Sequence, residues 1–540
     1  MKLQQLAIAH LILCAAVLLW DLWVAGRAAQ LRSAPPLLVA ISGLAGLLLL
    51  PALAVHLLSG SLLTGRAFAS IAWIWPITVA LVAIQAIYAT TRGLISPVIG
   101  LPIAIYDLLL AIIYAAAYLA DTGYPVTDPL LVLIAAERGA IALSTVPAAL
   151  SLPWYLYIPI IVPCAPLRRG IAGAMYVAVA AVALAWAGSV VAALPGASNA
   201  VRSYERFAAE RLRERPERDF TIGIKVFPTV GSLVPTSSVQ RDLAIADSIG
   251  TQALCIYISP RGASAAALRS LAETLDGVRG ERLIVIALDL AHPAVDAPGD
   301  ASAPGGDAGN IDVLVRDAAR IARIVRPDYF VPVVDPTSVG ASAGTWTIAT
   351  PGPTNRSPLP RRARGASRSS PTAAAERPLG VWQRYIAAAA RAVHSANPDT
   401  RVMAHVGGFS ARDSALYAWA ASRSSPVDAV ALTLFPGPHG ALDISQAERT
   451  IDSWLVTQRD APEKEHWILE AGGYPTVHGE LSQSRALWGI LAWSTNHPII
   501  RGVIAFEASD YSTRLGLQTP SGRIRLAAGT LKRAIAGLGE

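Results

Sequence analysis

Along this chain the spacing of hydrophobic positions changes once, near Arg202. Before it, apolar residues run in long, nearly unbroken stretches. After it, they form short β-rich runs separated by amphipathic stretches. A bilayer crossing takes about 20 mostly apolar residues. Stretches of that kind lie at roughly 5–25, 37–59, 68–90, 97–120, 129–150 and 171–194. The segment 152–163 (LPWYLYIPIIVP) is shorter and rich in proline, which suits an interfacial or re-entrant stretch. Residues 1–200 are therefore expected to form an α-helical polytopic membrane bundle of about six helices.

A charged, helix-like connector occupies 201–219, and eight β-rich runs follow. They lie near 220–227 (FTIGIKVF), 252–258, 282–290, 328–335 (DYFVPVVD), 401–406, 427–435, 466–470 (HWILE) and 501–506. Helix-period segments such as IDVLVRDAARIARIV and VWQRYIAAAARAVHSA separate them. Strands alternating with helices indicate a parallel sheet. Eight such units over 220–540 predict an α/β (β/α)8 TIM barrel, since a doubly wound sheet seldom needs eight regular repeats. The stretch 337–377 interrupts the pattern with Ser, Pro, Arg and Ala, a composition that buries little surface and reads as a disordered insertion. It carries one aromatic, Trp346, and one sequon, Asn355-Arg356-Ser357.

Composition sharpens this division. With 53% hydrophobic and 15% charged residues, the 540-residue chain is too apolar for an ordinary soluble protein. Its net charge of +7 comes largely from arginine, without the basic face and interleaved aromatics of a nucleic-acid binder. Three cysteines (Cys14, Cys164, Cys255) make neither a disulfide framework nor a metal site. Arg27, Arg32, Arg92, Arg168 and Arg169 fall on one side of a six-span topology, with Arg66 and Lys2 dissenting. Positive loops stay cytoplasmic, so the C-terminal domain is expected to be extracytoplasmic. Asp107, Glu137 and Arg138, within the spans, are expected to face the bundle interior.

Candidate chemistry sits at the ends of the β-rich runs, because a barrel carries its site at the C-terminal ends of its strands. Glu470 ends the seventh run, just before Gly-Gly-Tyr-Pro, and Asp335 ends the fourth. Glu507 and Asp510 follow the eighth (AFEASDY). Carboxylates converging on one mouth are what glycosidic bond cleavage requires.

At these residues the chain resembles the clan A glycoside hydrolases. The stretch Glu470-Ala471-Gly472-Gly473-Tyr474-Pro475 is similar to the Glu-Thr-Gly-Trp-Pro of family 17 β-1,3-glucanases and the Glu-Thr-Gly-Tyr-Pro of galactanase-like relatives, with one extra residue before the aromatic. Phe506-Glu507-Ala508-Ser509-Asp510 resembles the family 17 Phe-Glu-Ala-Phe-Asp, and Leu515-Gly516-Leu517 and Ser521-Gly522 resemble its ending. The resemblance spans about 220–535. It implies Glu470 as nucleophile, or as base in an inverting enzyme, and Asp335 as the acid. The strand-four Gly-Asn-Glu of the family is replaced by Val333-Val334-Asp335-Pro336. The asparagine that contacts the sugar 2-hydroxyl is absent, and the acid is shorter by about one C–C bond.

Tyr474, Phe435, His439, His405 and Tyr257 are candidate substrate-binding residues with Glu507 and Asp510. Rim packing is the structural alternative for His405, Phe435, His439 and Tyr474, and Tyr257 lies where the relatives it resembles often carry an arginine-tyrosine pair whose arginine is missing here. Asp289, ending the third run, is as suited to a salt bridge as to a substrate contact, and His478 stands out in a loop. The histidines lack a helix-spaced pair, which argues against a metal, and no cofactor is implied. The expected protein is a membrane-anchored glycoside hydrolase or transglycosylase acting on β-linked polysaccharide or envelope glycan. The alternatives are a non-catalytic glycan-binding barrel, and a membrane bundle that handles lipid-linked sugar with the barrel as accessory.

Overall fold

The computed structural model describes residues 36–143 and 169–539, apart from 60–66, 291–308, 338–378, 458–463 and short breaks at 69, 94–95, 123, 125, 217, 230–233, 235, 261–262, 438–439 and 512–514. The first expected span, the segment 152–163, nearly all of the 337–377 insertion, Trp346, the sequon and His439 lie outside the described residues. The chain divides into two compact units. One is Met1–Arg202 with Pro475–Glu480 and Gln518–Ile524; the other is Ser203–Tyr474 with Leu481–Leu517 and Arg525–Glu540.

The first unit contains the helices Pro36–Ser59, Ile74–Thr91, Pro97–Asp121, Asp128–Leu143 and Arg169–Ser203. Among the described residues, two helices are long and apolar enough to cross a membrane, Ile74–Thr91 and Pro97–Ala120. That is fewer than the six expected. The fifth expected span is described only over Asp128–Leu143, 16 residues, and the rest of it lies outside the described residues. On the helix Ile74–Thr91, Trp75, Val79, Ala83 and Ala86 are buried, while Ile77, Ile84 and Ile87 are exposed. Both faces are thus apolar, unlike a helix that meets water on one side. Gln85 donates to Ser42 at 2.9 Å in this interior, where Asp107 and Glu137 are also buried.

The second unit holds a closed barrel of eight parallel strands in sequence order. They are β1 (Thr221–Lys225), β2 (Ala253–Ile258), β3 (Leu283–Leu288), β4 (Tyr329–Val331), β5 (Arg401–Val406), β6 (Ala429–Leu434), β7 (Glu465–Ala471) and β8 (Ile500–Ala505). Pairing of Thr221 with Gly502 and of Ile222 with Val503 closes the ring. Helices cover the outside and side chains fill the inside, so strands such as β2 (ALCIYI) are buried at every position. Alternation assigns the faces. Ile222, Ile224, Leu254, Ile256, Ile284 and Ile286 join the large apolar core. Lys225, Cys255 and Tyr257, and their neighbours across the ladder, take the other, inward face.

Helix starts are specified locally. Ser264 caps Ala265–Asp276 by accepting from the Ala267 N–H at 3.1 Å. Ser410 and Asp413 make a reciprocal capping box on Ala411–Ala421. Inside the barrel, an ideal Cβ on Gly502 would stand 2.4 Å from the Trp467 ring, so only glycine lets that indole fill the barrel floor.

Candidate active site

Glu470 lies on β7 and is 6% exposed. Simple alternation from Trp467, which opposes Gly502, would point position 470 outward toward the helices. The β6–β7 register prevents this. Leu432 opposes Ile468, but the next residue, Thr433, opposes Glu470, so Leu469 is an extra residue. A one-residue bulge flips the face presented by everything after it. This bulge turns the carboxylate into the mouth.

Two hydroxyls hold that carboxylate. Tyr257 donates to Oε1 at 2.6 Å, and Thr433 donates to Oε2 at 2.9 Å. Behind Thr433 stands His405, fully buried, with Nε2 2.9 Å from the Thr433 hydroxyl. Its Nδ1 accepts the Asp335 backbone N–H at 2.8 Å, so the neutral ring carries its proton on Nε2. The chain of donors therefore runs Asp335 N–H to His405, His405 Nε2–H to Thr433, and Thr433 hydroxyl to Glu470. Burial pushes His405 down to about 4, against the pull of Asp335 and Asp413, which keeps the ring neutral. Sequence placed His405 as a substrate contact; here it lies one residue deep behind Thr433.

Burial raises the Glu470 carboxyl above its usual range. The Tyr257 and Thr433 hydrogen bonds pull it back, Asp289 pushes it up, and Lys225 pulls it down. Burial, and then the Glu470 charge, hold the Tyr257 phenol well above its usual value, so it stays a donor. Lys225 ends β1 and pairs with Glu507 at 2.6 Å, both side chains buried. Its ammonium lies 4.8 Å from the Phe506 ring centroid, 5.4 Å from Tyr257 and 5.7 Å from Tyr511, distances at which a desolvated cation is attracted to a ring. Lys225 and Thr433 were missed in the sequence, although each is a polar residue at an inward position of an apolar strand.

The expected aromatics form one wall. Phe435 packs 5.8 Å from Tyr474 and 5.9 Å from Phe506, and Phe506 packs 5.8 Å from Tyr257. Gly472 makes room, since a Cβ there would stand 2.7 Å from Phe435.

The remaining carboxylates have other engagements. Both oxygens of Asp510 accept from Arg525, at 2.7 and 2.6 Å, and Oδ1 also accepts the Gly516 N–H at 2.8 Å. Asp510 thus pins the loop after β8. Asp242 accepts from the Phe227 N–H at 2.6 Å, from Ser509 at 2.7 Å and from the Tyr511 hydroxyl, tying that loop to the one after β1. Asp335 has a left-handed φ of 44°. Its Oδ1 accepts from Thr337 at 3.3 Å, and Thr337 also reaches Asp413 at 2.5 Å. A Cβ on Gly407 would lie 2.6 Å from the Asp335 carboxyl carbon, so this side chain lies over the end of β5.

No family model and no curated protein matches the chain. Among solved structures it is similar to the crystal structure of a Ruminococcus gnavus beta-glucuronidase, with 11% identity, 58% of this chain and 50% of that chain covered, and a TM-score of 0.38. A beta-glucuronidase from Ruminococcus gnavus in complex with D-glucuronic acid gives 13% identity, 60% and 51% coverage, and a TM-score of 0.38. An uncultured Clostridium sp. beta-glucuronidase gives 9%, 58% and 50%, again at 0.38. The chain spans about half the length of these proteins, and identities this low bear on the fold alone. The TIM barrel itself is read from the strand pairing described above.

Proposed function

We propose that the barrel is a glycoside hydrolase acting on a β-linked polysaccharide or envelope glycan, with Glu470 as the reacting carboxylate. One observation carries this reading. A buried glutamate is turned into the barrel mouth by a bulge, held by a hydroxyl on each oxygen and flanked by a wall of aromatic rings. Two fixed donors orient the carboxylate and favour its anionic form, and the rings offer faces on which a pyranose can stack. We further propose that residues 1–200 form a multi-pass membrane anchor and that 220–540 work outside the cytoplasm. The apolar, exposed faces of Ile74–Thr91 and Pro97–Asp121 support the anchor, and the arginine distribution supports the orientation.

The test is turnover of β-1,3-glucan oligosaccharides by the detergent-solubilised full chain. Glu470→Gln keeps the shape and removes the charge, so it should abolish cleavage while leaving folding and glycan binding nearly intact. Wild-type turnover by that variant would overturn the assignment. A reporter fused after Glu540 should be active on the extracytoplasmic side. The engagement of Asp335 with Thr337 and the β5 end favours a second reading, a barrel that binds glycan without cleaving it. Glycan binding with no turnover would support that one.

A further inference from the structure

The chain enters the barrel from its mouth end. Tyr204, buried one residue after the helix Arg169–Ser203, lies within electrostatic reach of Tyr474 and Asp443. Those two residues follow β7 and β6, on the mouth side. Phe207 lies midway along the helix Glu480–Thr495, against Gly489, where a Cβ would collide with its ring. The Arg213 N–H then donates to Thr495, the last residue of that helix, at 3.1 Å. The connector therefore descends from mouth to floor, and the helix before it ends at the mouth. The expected span 171–194 stops about ten residues before Tyr204, about 15 Å of helix.

Two loops of the mouth tell the same story. Pro475–Glu480 after β7 and Gln518–Ile524 after β8 belong to the compact unit of the apolar helices. Within that unit, a Cβ on Gly479 would stand 2.9 Å from the Leu131 side chain, and Arg523 donates to Glu480 at 3.0 Å. Leu131 is in the first turn of Asp128–Leu143, one loop after the candidate span Pro97–Ala120 ends. This part of the rim is also apolar where it is exposed. Leu442 is the second residue of Ala441–Thr457 after β6, and Ile524 and Leu526 stand at the start of Leu526–Gly539 after β8. They are 44%, 47% and 57% exposed. Single exposed apolar residues are ordinary, but these flank Pro475–Glu480 on both sides.

Resting on the reading of 1–200 as a membrane anchor, we infer that the β6–β8 arc of the mouth rim seats on the bilayer, with Leu442, Ile524 and Leu526 dipping into the headgroup interface. Surfaces of this kind bury apolar side chains about 5–10 Å into the boundary between headgroups and acyl chains. A second copy of the chain could cover the same side chains, but the anchor holds lipid beside this arc in every molecule, at any protein concentration. A mouth seated there opens at the bilayer surface. On the hydrolase reading, its substrate class is then a lipid-borne glycan in preference to free polysaccharide.

The experiment uses the full chain in nanodiscs of phosphatidylcholine and phosphatidylglycerol. With Cys14, Cys164 and Cys255 changed to alanine, a fluorophore is attached at Leu442→Cys, Ile524→Cys or Val456→Cys. Val456 is the control, 54% exposed near the other end of the helix that Leu442 begins. Lipid carrying a nitroxide at its headgroup should quench the probes at 442 and 524 at least about threefold more than the probe at 456. Equal quenching at all three positions, or none at the rim in discs that hold the chain, would overturn the inference while the anchor stands. Shielding of the rim probes only in discs with two copies would assign the arc to a second copy and overturn it too. Failure of the chain to enter discs would sink the anchor and the inference together. Quenching needs no turnover, so a failed hydrolase reading leaves this result standing. Where turnover is found, Leu442→Asp with Leu526→Asp should lower cleavage of a lipid-borne β-1,3-glucan oligosaccharide by about tenfold and keep the free oligosaccharide within about twofold. Equal effects on the two substrates would overturn the assignment of a lipid-borne glycan.

Discussion

Replacing Lys225 with methionine keeps most of the side-chain volume and deletes the charge beside Glu507. The pair is 2.6 Å apart, with side chains 4% and 2% exposed, so Lys225→Met leaves a buried carboxylate without its counter-ion. Removing one partner of a buried pair costs about 3–5 kcal/mol, whereas removing both can be close to neutral. Glu507→Gln should cost less than Lys225→Met, because the orphaned ammonium keeps the rings of Phe506, Tyr257 and Tyr511, and desolvated cation–π contacts are worth about 0.5–2 kcal/mol. The double variant should be more stable than the sum of the singles by about 2–4 kcal/mol. Denaturant unfolding of all four proteins gives that coupling directly as a double-mutant cycle. Additivity within about 0.5 kcal/mol, the range for independent sites, would refute the paired geometry. Lys225→Met should also raise the Glu470 carboxyl, because the lysine charge pulls it down. The acid limb of turnover would then move to higher pH.

Thr433→Val removes a donor to Glu470 and strands the His405 Nε2–H. The acid limb should move up in pH, and denaturant stability should fall by about 1–3 kcal/mol. Asp510→Asn weakens a bidentate pair with buried Arg525 and should destabilise the barrel by about 3 kcal/mol, seen as a lower Tm, with no selective loss of glycan affinity. Glu448 is pushed up to about 8, first by burial and then by Glu210 and Asp452. The folded state holds a proton there that the unfolded chain releases, so this contribution to stability is full below the ordinary carboxylate range and is lost as pH rises through about 8. Glu448→Gln should change unfolding at pH 5 by less than about 1 kcal/mol and stabilise the protein at pH 9 by on the order of 5 kcal/mol.

Periodicity alone marked the change from apolar runs to alternating strands and helices, and so the eight-stranded barrel and the strand ends that form its mouth. The Glu470-to-Pro475 stretch was legible because a carboxylate between an apolar strand and a Gly-Gly break has few structural uses. What each carboxylate touches could not be read this way. Strand alternation depends on register, and register at the end of β7 is decided by a bulge at Leu469 that exists only once β6 lies beside it. The roles of Asp510 and Glu507 depend on Arg525 and Lys225, 15 and 282 residues away in sequence, which barrel closure and the β8 loop bring into contact. Asp335 ends the fourth run as expected, but a left-handed backbone and the neighbouring strand carry its side chain over Gly407. Local pattern determines which end of an element a residue occupies, and its face wherever the repeat runs unbroken, because both depend on the chain's own repeat. Charge pairing and aim depend on neighbours distant in sequence, and only the closed barrel supplies them.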